Sequence, residues 1–537
     1  MSFFNSRRSD VVSKNGIVAT SQPIAAQVGL RILQDGGNAV DAAVGTAAAL
    51  NVLEPMSTGI GGDMFALVWL ADSKKVVAVN GSGRSGIEAD PEYVLKKGYS
   101  SIPTEGPDSA LAVSVPGTVS GWQMCLDLYG TMGMNQVLRD PIKYAQEGFG
   151  VSDVISDAWQ SSVAKLSYRP SGSELLPGGS APRHGDIVSL KTLANSLSQI
   201  AEGGAEAFYK GDIGKKISRF VQDEGGWITE QDLAEHRSDC DVPISIDYRG
   251  VTVWECPPNG QGIAALMALN IAEGFDVASM GSQSVDRYHY LVEAMRLGYA
   301  DALQYVADPR VSDVPIEGML SKEYASARRN LINKEKSIKT VSYGQPIPNS
   351  DTVYLTVVDR EGNACSFINS LYQGFGTGLV VPDTGIALQN RGALFSLDPN
   401  HPNYLQGGKR PYQTIIPGMA TRDGELWLSF GVMGGFQQPQ GHLQIISNMV
   451  DFGMTPQQAL DALRFSVDVK DNEIVWVEED LDESVVSGLK SLGHTVMVAE
   501  GYDRTMFGGG QIISRDPHNG SLMGGSEPRK DGAAVGW

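Results

Sequence analysis

A threonine that opens a strand directly after a loop can do chemistry that is closed to one inside a chain. Residues 335–351, EKSIKTVSYGQPIPNSD, are polar, contain proline and glycine, and read as an exposed loop. At Thr352 the character changes abruptly to the β-rich run TVYLTVVD. A threonine hydroxyl is a weak nucleophile until a base takes its proton. An N-terminal threonine carries that base in its own α-amine, whose unperturbed pKa is about 8. The amine exists only if the Asp351–Thr352 bond is cut. The Thr352 hydroxyl could attack the Asp351 carbonyl and form an ester that water hydrolyses. One residue would then both process the chain and turn over an external amide. On loop and strand alone, the simpler reading is a β-branched residue that begins a strand.

Other familiar chemistries leave no trace. There is no HExxH, and the seven histidines never fall at metal-ligand spacing. No GxSxG elbow and no Walker A sequence occurs. GIGGD at 59–63 precedes a strand rather than a helix, the reverse of a dinucleotide fingerprint, and is set aside. Cys365 falls mid-strand and reads as core, and Met433 as packing. Glu293, Asp301 and Asp308 lie on or beside a helix and read as solvated or paired with Arg287 and Arg296.

The elements that must position Thr352 follow from periodicity. A short strand leads into a helix with Ala25, Val28 and Ile32 on one face, broken by Gly36–Asn38. An Ala-rich helix starts at Ala39, and its run AAVGTAAALNVL reads as buried core. MFALVWL and VVAVNGSGRSG are strands, the second ending in a glycine loop. Residues 120–340 read as largely helical, with a strong amphipathic helix at HYLVEAMRLGYADALQYV. TVYLTVVD and ACSFINSLY form a hairpin around REGN. GIALQNR and LWLSFGVMG are further strands, and QPQGHLQIISNMVDFGM and TPQQALDALRF are helices. Strands followed by helices in both halves imply stacked layers of sheet and helix.

The chain has 537 residues, is 42% hydrophobic and carries a formal charge of −20. That balance excludes nucleic acid as an expected partner, because phosphate binding needs a basic surface. The four cysteines form no CxxC, which suits a reducing compartment. The first residues lack a signal-peptide pattern, and no run is long enough to span a bilayer, so the expected location is cytoplasmic.

The segment DTVYLTVVDREGNACSFINSLYQGFGTGLVVPDTGIALQNRGALFS resembles the small-subunit start of the γ-glutamyltranspeptidase family. GGNAVDAAVGTAAALNVLEPMSTGIGGD, SVPGTVSGW, ITEQDLAEH, ECPPNGQG, KRPYQTIIP and GVMGGFQQPQ extend the resemblance, in order, along nearly the whole chain. It implies an α+β fold, the four-layer αββα sandwich of N-terminal-nucleophile hydrolases. It also implies autocleavage between Asp351 and Thr352 into a large subunit, 1–351, and a small subunit, 352–537. These would interleave in one core as a heterodimer that could itself dimerise. On the family's motifs Thr352 is the nucleophile and Ser370 the assisting hydroxyl. Gly434 and Gly435 then supply the oxyanion hole. No cofactor or metal is needed, and the acceptor is water or an amine.

Several positions depart from the glutathione-cleaving pattern. Leu394 stands where those members hold the glutamyl amine with a carboxylate. Gln413 and Thr414 replace the paired serines after KRP, Tyr372 replaces an asparagine, and Ser82 stands near the arginine that grips the α-carboxylate. The pocket resembles the acylase-like branch that includes cephalosporin acylases and oxamate amidohydrolase. The expected substrate is a small amide with a carboxylate on its acyl side. Arg84, Tyr372, Arg391, Gln413 and Thr414 are the candidate binding residues. For Arg84 and Arg391 a structural role, tying a loop to a neighbouring acid, stays equally open. A true γ-glutamyltransferase and an unprocessed, non-catalytic relative are the alternatives.

Overall fold

Side chains alternate across a strand, and the run from Asp351 uses both of its faces. The computed structural model describes residues 8–339, 341, 351–469 and 473–537, the side chain of Asp351 excepted. In the strand Asp351–Val358, Val353, Leu355 and Val357 enter a core shared with helices, while Tyr354 and Val358 enter a second core. The same parity holds next door: Cys365 and Phe367 of Ala364–Tyr372 face the helices, and Ile368 faces the second core.

The second core lies between two seven-stranded, wholly antiparallel sheets. The first runs Ala533–Gly536, Ile17–Thr20, Asp351–Val358, Ala364–Tyr372, Asp63–Leu70, Lys75–Gly81, Asp239–Asp241. The other runs Val11–Ser13, Leu522–Ser526, Gly509–Arg515, Glu425–Met433, Gly418–Arg422, Val251–Glu255, Ile244–Tyr248. Helices Pro23–Gln34, Ala39–Leu53 and Thr118–Tyr129 cover the outer face of the first sheet. Gly262–Ala272, Val285–Tyr305 and Gln437–Asp451 cover the other. The order helix, sheet, sheet, helix is the four-layer αββα sandwich. Each sheet draws strands from both sides of residue 351.

Local chemistry explains the helix that backs the site. Asn38 caps Ala39–Leu53, accepting from Val40 and Asp41 N–H, while Asp41 accepts from Asn38 N–H at 2.8 Å. All fifteen residues of that helix are buried, as the Ala-rich run implied. Among the described residues no helix is long and apolar enough to cross a membrane, and all four cysteines are free.

Three expectations need correction. Residues 120–340 include the strands Asp239–Asp241, Ile244–Tyr248 and Val251–Glu255, which build the edges of both sheets. Helices dominate the composition there, and these short runs carry too little periodicity to stand out. GIALQNR pairs only at Ile386–Ala387 and then turns into a 3-10 helix, Arg391–Leu394. TPQQALDALRF is helical only over Pro456–Asp461 before Phe465–Val467 turns extended. Most of the loop expected at 335–351 lies outside the described residues.

Candidate active site

Three neighbouring strands bring the candidate groups to one end of the first sheet. Ser370 is in register with Asp63. On its other side the pairing slips between Asp351↔Tyr372 and Val353↔Asn369, so Thr352 alone faces Ser370 and Leu371. Such a bulge re-aims side chains at a sheet end. It leaves Thr352 Oγ1 3.1 Å from Ser370 Oγ, both buried. Ser370 Oγ accepts from the Tyr372 N–H at 2.8 Å. Tyr372 has φ 80°, a backbone state that costs a bulky residue about 1–3 kcal/mol and clusters at functional sites.

The glycine turn before Asp63, set aside in the sequence, is part of this site. A Cβ on Gly62 would lie 2.2 Å from the Ser370 carbonyl oxygen, and one on Gly61 2.0 Å from that of Ala387. Glycine is needed here for close backbone approach, not for a nucleotide. Gly62→Ala is expected to lower stability by about 1–3 kcal/mol through overpacking against backbone. Gly318→Ala, in the helix Ile316–Leu320 where a Cβ meets nothing within 4 Å, is the control and is expected to hold or raise stability. Denaturant unfolding of the pair checks this, and equal midpoints would refute it.

The sheets then face each other across the site. Thr356 Oγ1 lies 2.5 Å from Ser429 Oγ, and the Tyr354 ring lies against Gly431. Two residues back along one strand match two residues forward along the other. Gly434 (φ 124°) and Gly435 (φ 58°) turn the chain from Glu425–Met433 into the helix Gln437–Asp451. Among the described residues nothing accepts from either glycine's N–H. Gln261, within the ECPPNGQG motif, ties this turn to the pocket by donating to Gly435 O at 2.9 Å and Thr414 O at 2.6 Å.

Arg391 is fully buried and donates to Thr414 Oγ1 at 2.6 Å. Its guanidinium carbon sits 4.7 Å from the centre of the Tyr372 ring. Arg391 Nε and Nη2 and the Tyr372 hydroxyl are buried without a protein partner among the described residues. Burial pushes the Arg391 guanidinium down to about 10, with the Asp63 carboxylate and Tyr372 opposing. Burial likewise raises the Tyr372 hydroxyl.

Asp63 had no signal beyond its place at the end of GIGGD. It is fully buried and accepts from Gly83 N–H at 2.9 Å, Gly117 N–H at 3.3 Å, Gln389 Nε2 at 2.9 Å and Gln413 Nε2 at 2.6 Å. Burial raises its pKa, and Arg391 opposes that shift most strongly.

Arg84 goes elsewhere. It donates to Arg237 O and Asp239, the carboxylate that also receives Arg410 and Arg310. These are the contacts of the structural reading. Glu293 pairs with Arg296 at 2.7 Å but is buried, not solvated. Asp301 takes Arg328, Asp308 caps the Arg410 N–H, and Arg287 turns to Asn448. The fold also joins His289 Nδ1 and His494 Nε2 at 2.8 Å beside Glu293, a grouping that spacing along the chain hid. Cys365 and Met433 are core, as read.

Comparison with known proteins places this geometry. The family profile described as Gamma-glutamyltranspeptidase matches residues 25–537. The chain is 40% identical over 530 residues to the glutathione hydrolase-like YwrD proenzyme of Bacillus subtilis, covering 98% of this chain and 99% of that protein. It is 34% identical over 535 residues to the oxamate amidohydrolase proenzyme of Klebsiella pneumoniae, covering 98% and 99%. The crystal structure of a cephalosporin acylase from Bacillus halodurans superposes with TM-score 0.93 at 45% identity, covering 99% of this chain and 98% of that one.

Proposed function

The chain belongs to the gamma-glutamyltranspeptidase family of hydrolases and transferases, and from that premise we propose an autoprocessing amidohydrolase whose nucleophile is Thr352. Its substrate is a small amide with a carboxylate on the acyl side. In processing, Thr352 Oγ1 attacks the Asp351 carbonyl, the peptide nitrogen leaves as the Thr352 α-amine, and water hydrolyses the ester. Residues 1–351 and 352–537 then remain paired, because each contributes strands to both sheets.

In turnover the α-amine takes the Thr352 hydroxyl proton as Oγ1 attacks the substrate carbonyl. Ser370 Oγ, 3.1 Å away, holds that oxygen in place. The Gly434 and Gly435 N–H groups stabilise the oxyanion, where one donor contributes roughly 3 kcal/mol. The leaving amine departs with the proton. Water, or an amine acceptor, then attacks the acyl ester and frees Thr352.

One observation carries the substrate class: among the described residues, the buried Arg391 Nε and Nη2 have no protein partner, and neither does the Tyr372 hydroxyl beside them. A guanidinium offers a planar fork to a carboxylate, and a buried cation is costly without an anion. Leu394 supports an acyl chain without an α-amine. A panel of glutaryl, oxamate-type and γ-glutamyl amides tests this. Glutaryl or oxamate-type amides are expected to exceed γ-glutamyl amides at least about tenfold in kcat/KM, the worth of roughly 1.4 kcal/mol. Preference for γ-glutamyl amides would establish the glutathione-type alternative instead.

A further inference from the structure

Asp63 is the second buried charge of the pocket. It belongs to the strand Asp63–Leu70, whose Phe65, Leu67 and Trp69 point between the sheets, and its parity puts it on that same face beside Ser370. Its four partners, Gly83, Gly117, Gln389 and Gln413, are uncharged donors, so none of them cancels its charge. Two of them lie on the segments that carry Arg391. Gln389 is two residues before it, and Gln413 precedes Thr414, which takes the Arg391 Nη1 hydrogen bond. Asp63 and Arg391 make no ion-pair contact among the described residues, yet for each of them burial is the larger influence and the other is the charge that most opposes it.

We infer that Asp63 is a specificity-determining, positioning residue: the counter-charge that sets how strongly Arg391 attracts a substrate carboxylate. The inference rests on Arg391 as the carboxylate anchor. An ionised Asp63 offsets the Arg391 charge, so Arg391 can stay buried before substrate arrives. The same negative charge weakens the field that an incoming carboxylate feels. Asp63 therefore trades affinity for anionic acyl groups against a stable empty site. It also discriminates against acyl groups with a second carboxylate, whose extra charge would be buried unpaired.

The pocket supplies its own clean probe. In Asp63→Asn the side-chain oxygen can still accept from Gly83, Gly117 and Gln389. The new amide N–H₂ faces Gln413, whose Oε1 has no partner among the described residues and can accept after an amide flip. The hydrogen bonds persist and only the charge is lost. Asp63→Ser is a second neutral variant that keeps an acceptor of different size.

Steady-state kinetics with a glutaryl anilide and the valeryl anilide, which has the same carbon chain without the carboxylate oxygens, test the inference. In both variants KM for the glutaryl substrate is expected to fall on the order of tenfold as the opposing charge is lost. For the same reason the glutaryl-over-valeryl ratio of kcat/KM should rise by the same order. Equal losses on both substrates would make Asp63 merely structural and overturn the inference, as would an unmoved glutaryl KM. Failure of both variants to yield folded, cut protein would overturn it too. Arg391→Met separates the layers. If glutaryl preference survives that change, the Arg391 assignment falls and this inference with it. If preference is lost there but Asp63→Asn leaves KM unmoved, only the counter-charge falls.

Discussion

Thr352→Ala is expected to run as one chain of 57.4 kDa in denaturing mass spectrometry, where the unaltered protein gives two fragments meeting at 351/352. Activity on any amide should fall by more than about 10⁴-fold, as it does when a nucleophile is removed from a hydroxyl-dependent site. Two losses coincide in this variant. Alanine has no oxygen to attack the Asp351 carbonyl, so the bond stays closed and the α-amine that would serve as base never forms. The Ser370 hydroxyl, 3.1 Å away, cannot substitute, because it has no α-amine of its own. Thr352→Ser keeps the oxygen and should still be cut. An uncut yet active wild-type protein, or cleavage of the alanine variant at the same bond, would remove Thr352 from the mechanism.

Arg391→Met should lower kcat/KM for a carboxylate-bearing amide by about 10²–10³-fold, the range for losing one partner of a buried charge pair. Methionine fills similar space without the guanidinium, so an uncharged acyl chain should lose far less. The variant should also be less stable. Without Arg391, Asp63 loses the cation that most opposes the cost of its burial. Adding Asp63→Asn should restore most of that stability while leaving the carboxylate preference absent. Paired denaturation curves and substrate ratios for the single and double variants check both statements. Equal losses on charged and uncharged substrates would place Arg391 in the scaffold.

Much of the layered fold was legible because it follows from local periodicity. The hairpin Asp351–Val358/Ala364–Tyr372 and the buried helix Ala39–Leu53 appear where alternation and the Ala-rich run put them. The edge strands inside 120–340 were not legible. Three to five residues hold too little pattern, and their partners in the sheets lie far along the chain.

The candidate site divides in the same way. Thr352 drew notice because it follows a polar loop, but loop and strand alone favoured a plain strand residue, and only the family resemblance made it the expected nucleophile. Gly62 carried a visible signal whose reason was not visible, since the carbonyl it must avoid belongs to Ser370, far along the chain. Arg84 and Arg391 looked alike in sequence, two arginines each near a glycine. Tertiary packing alone separated them, sending Arg84 to Asp239 and Arg391 beside Tyr372 and Thr414. Asp63 became part of the site only when strand register set it against Ser370 and brought Gln389 and Gln413 to its oxygens. The physical reason is range. Backbone preference and hydrophobic alternation act over a few residues and are written in the chain, whereas the pairing of buried charges depends on which distant strands meet.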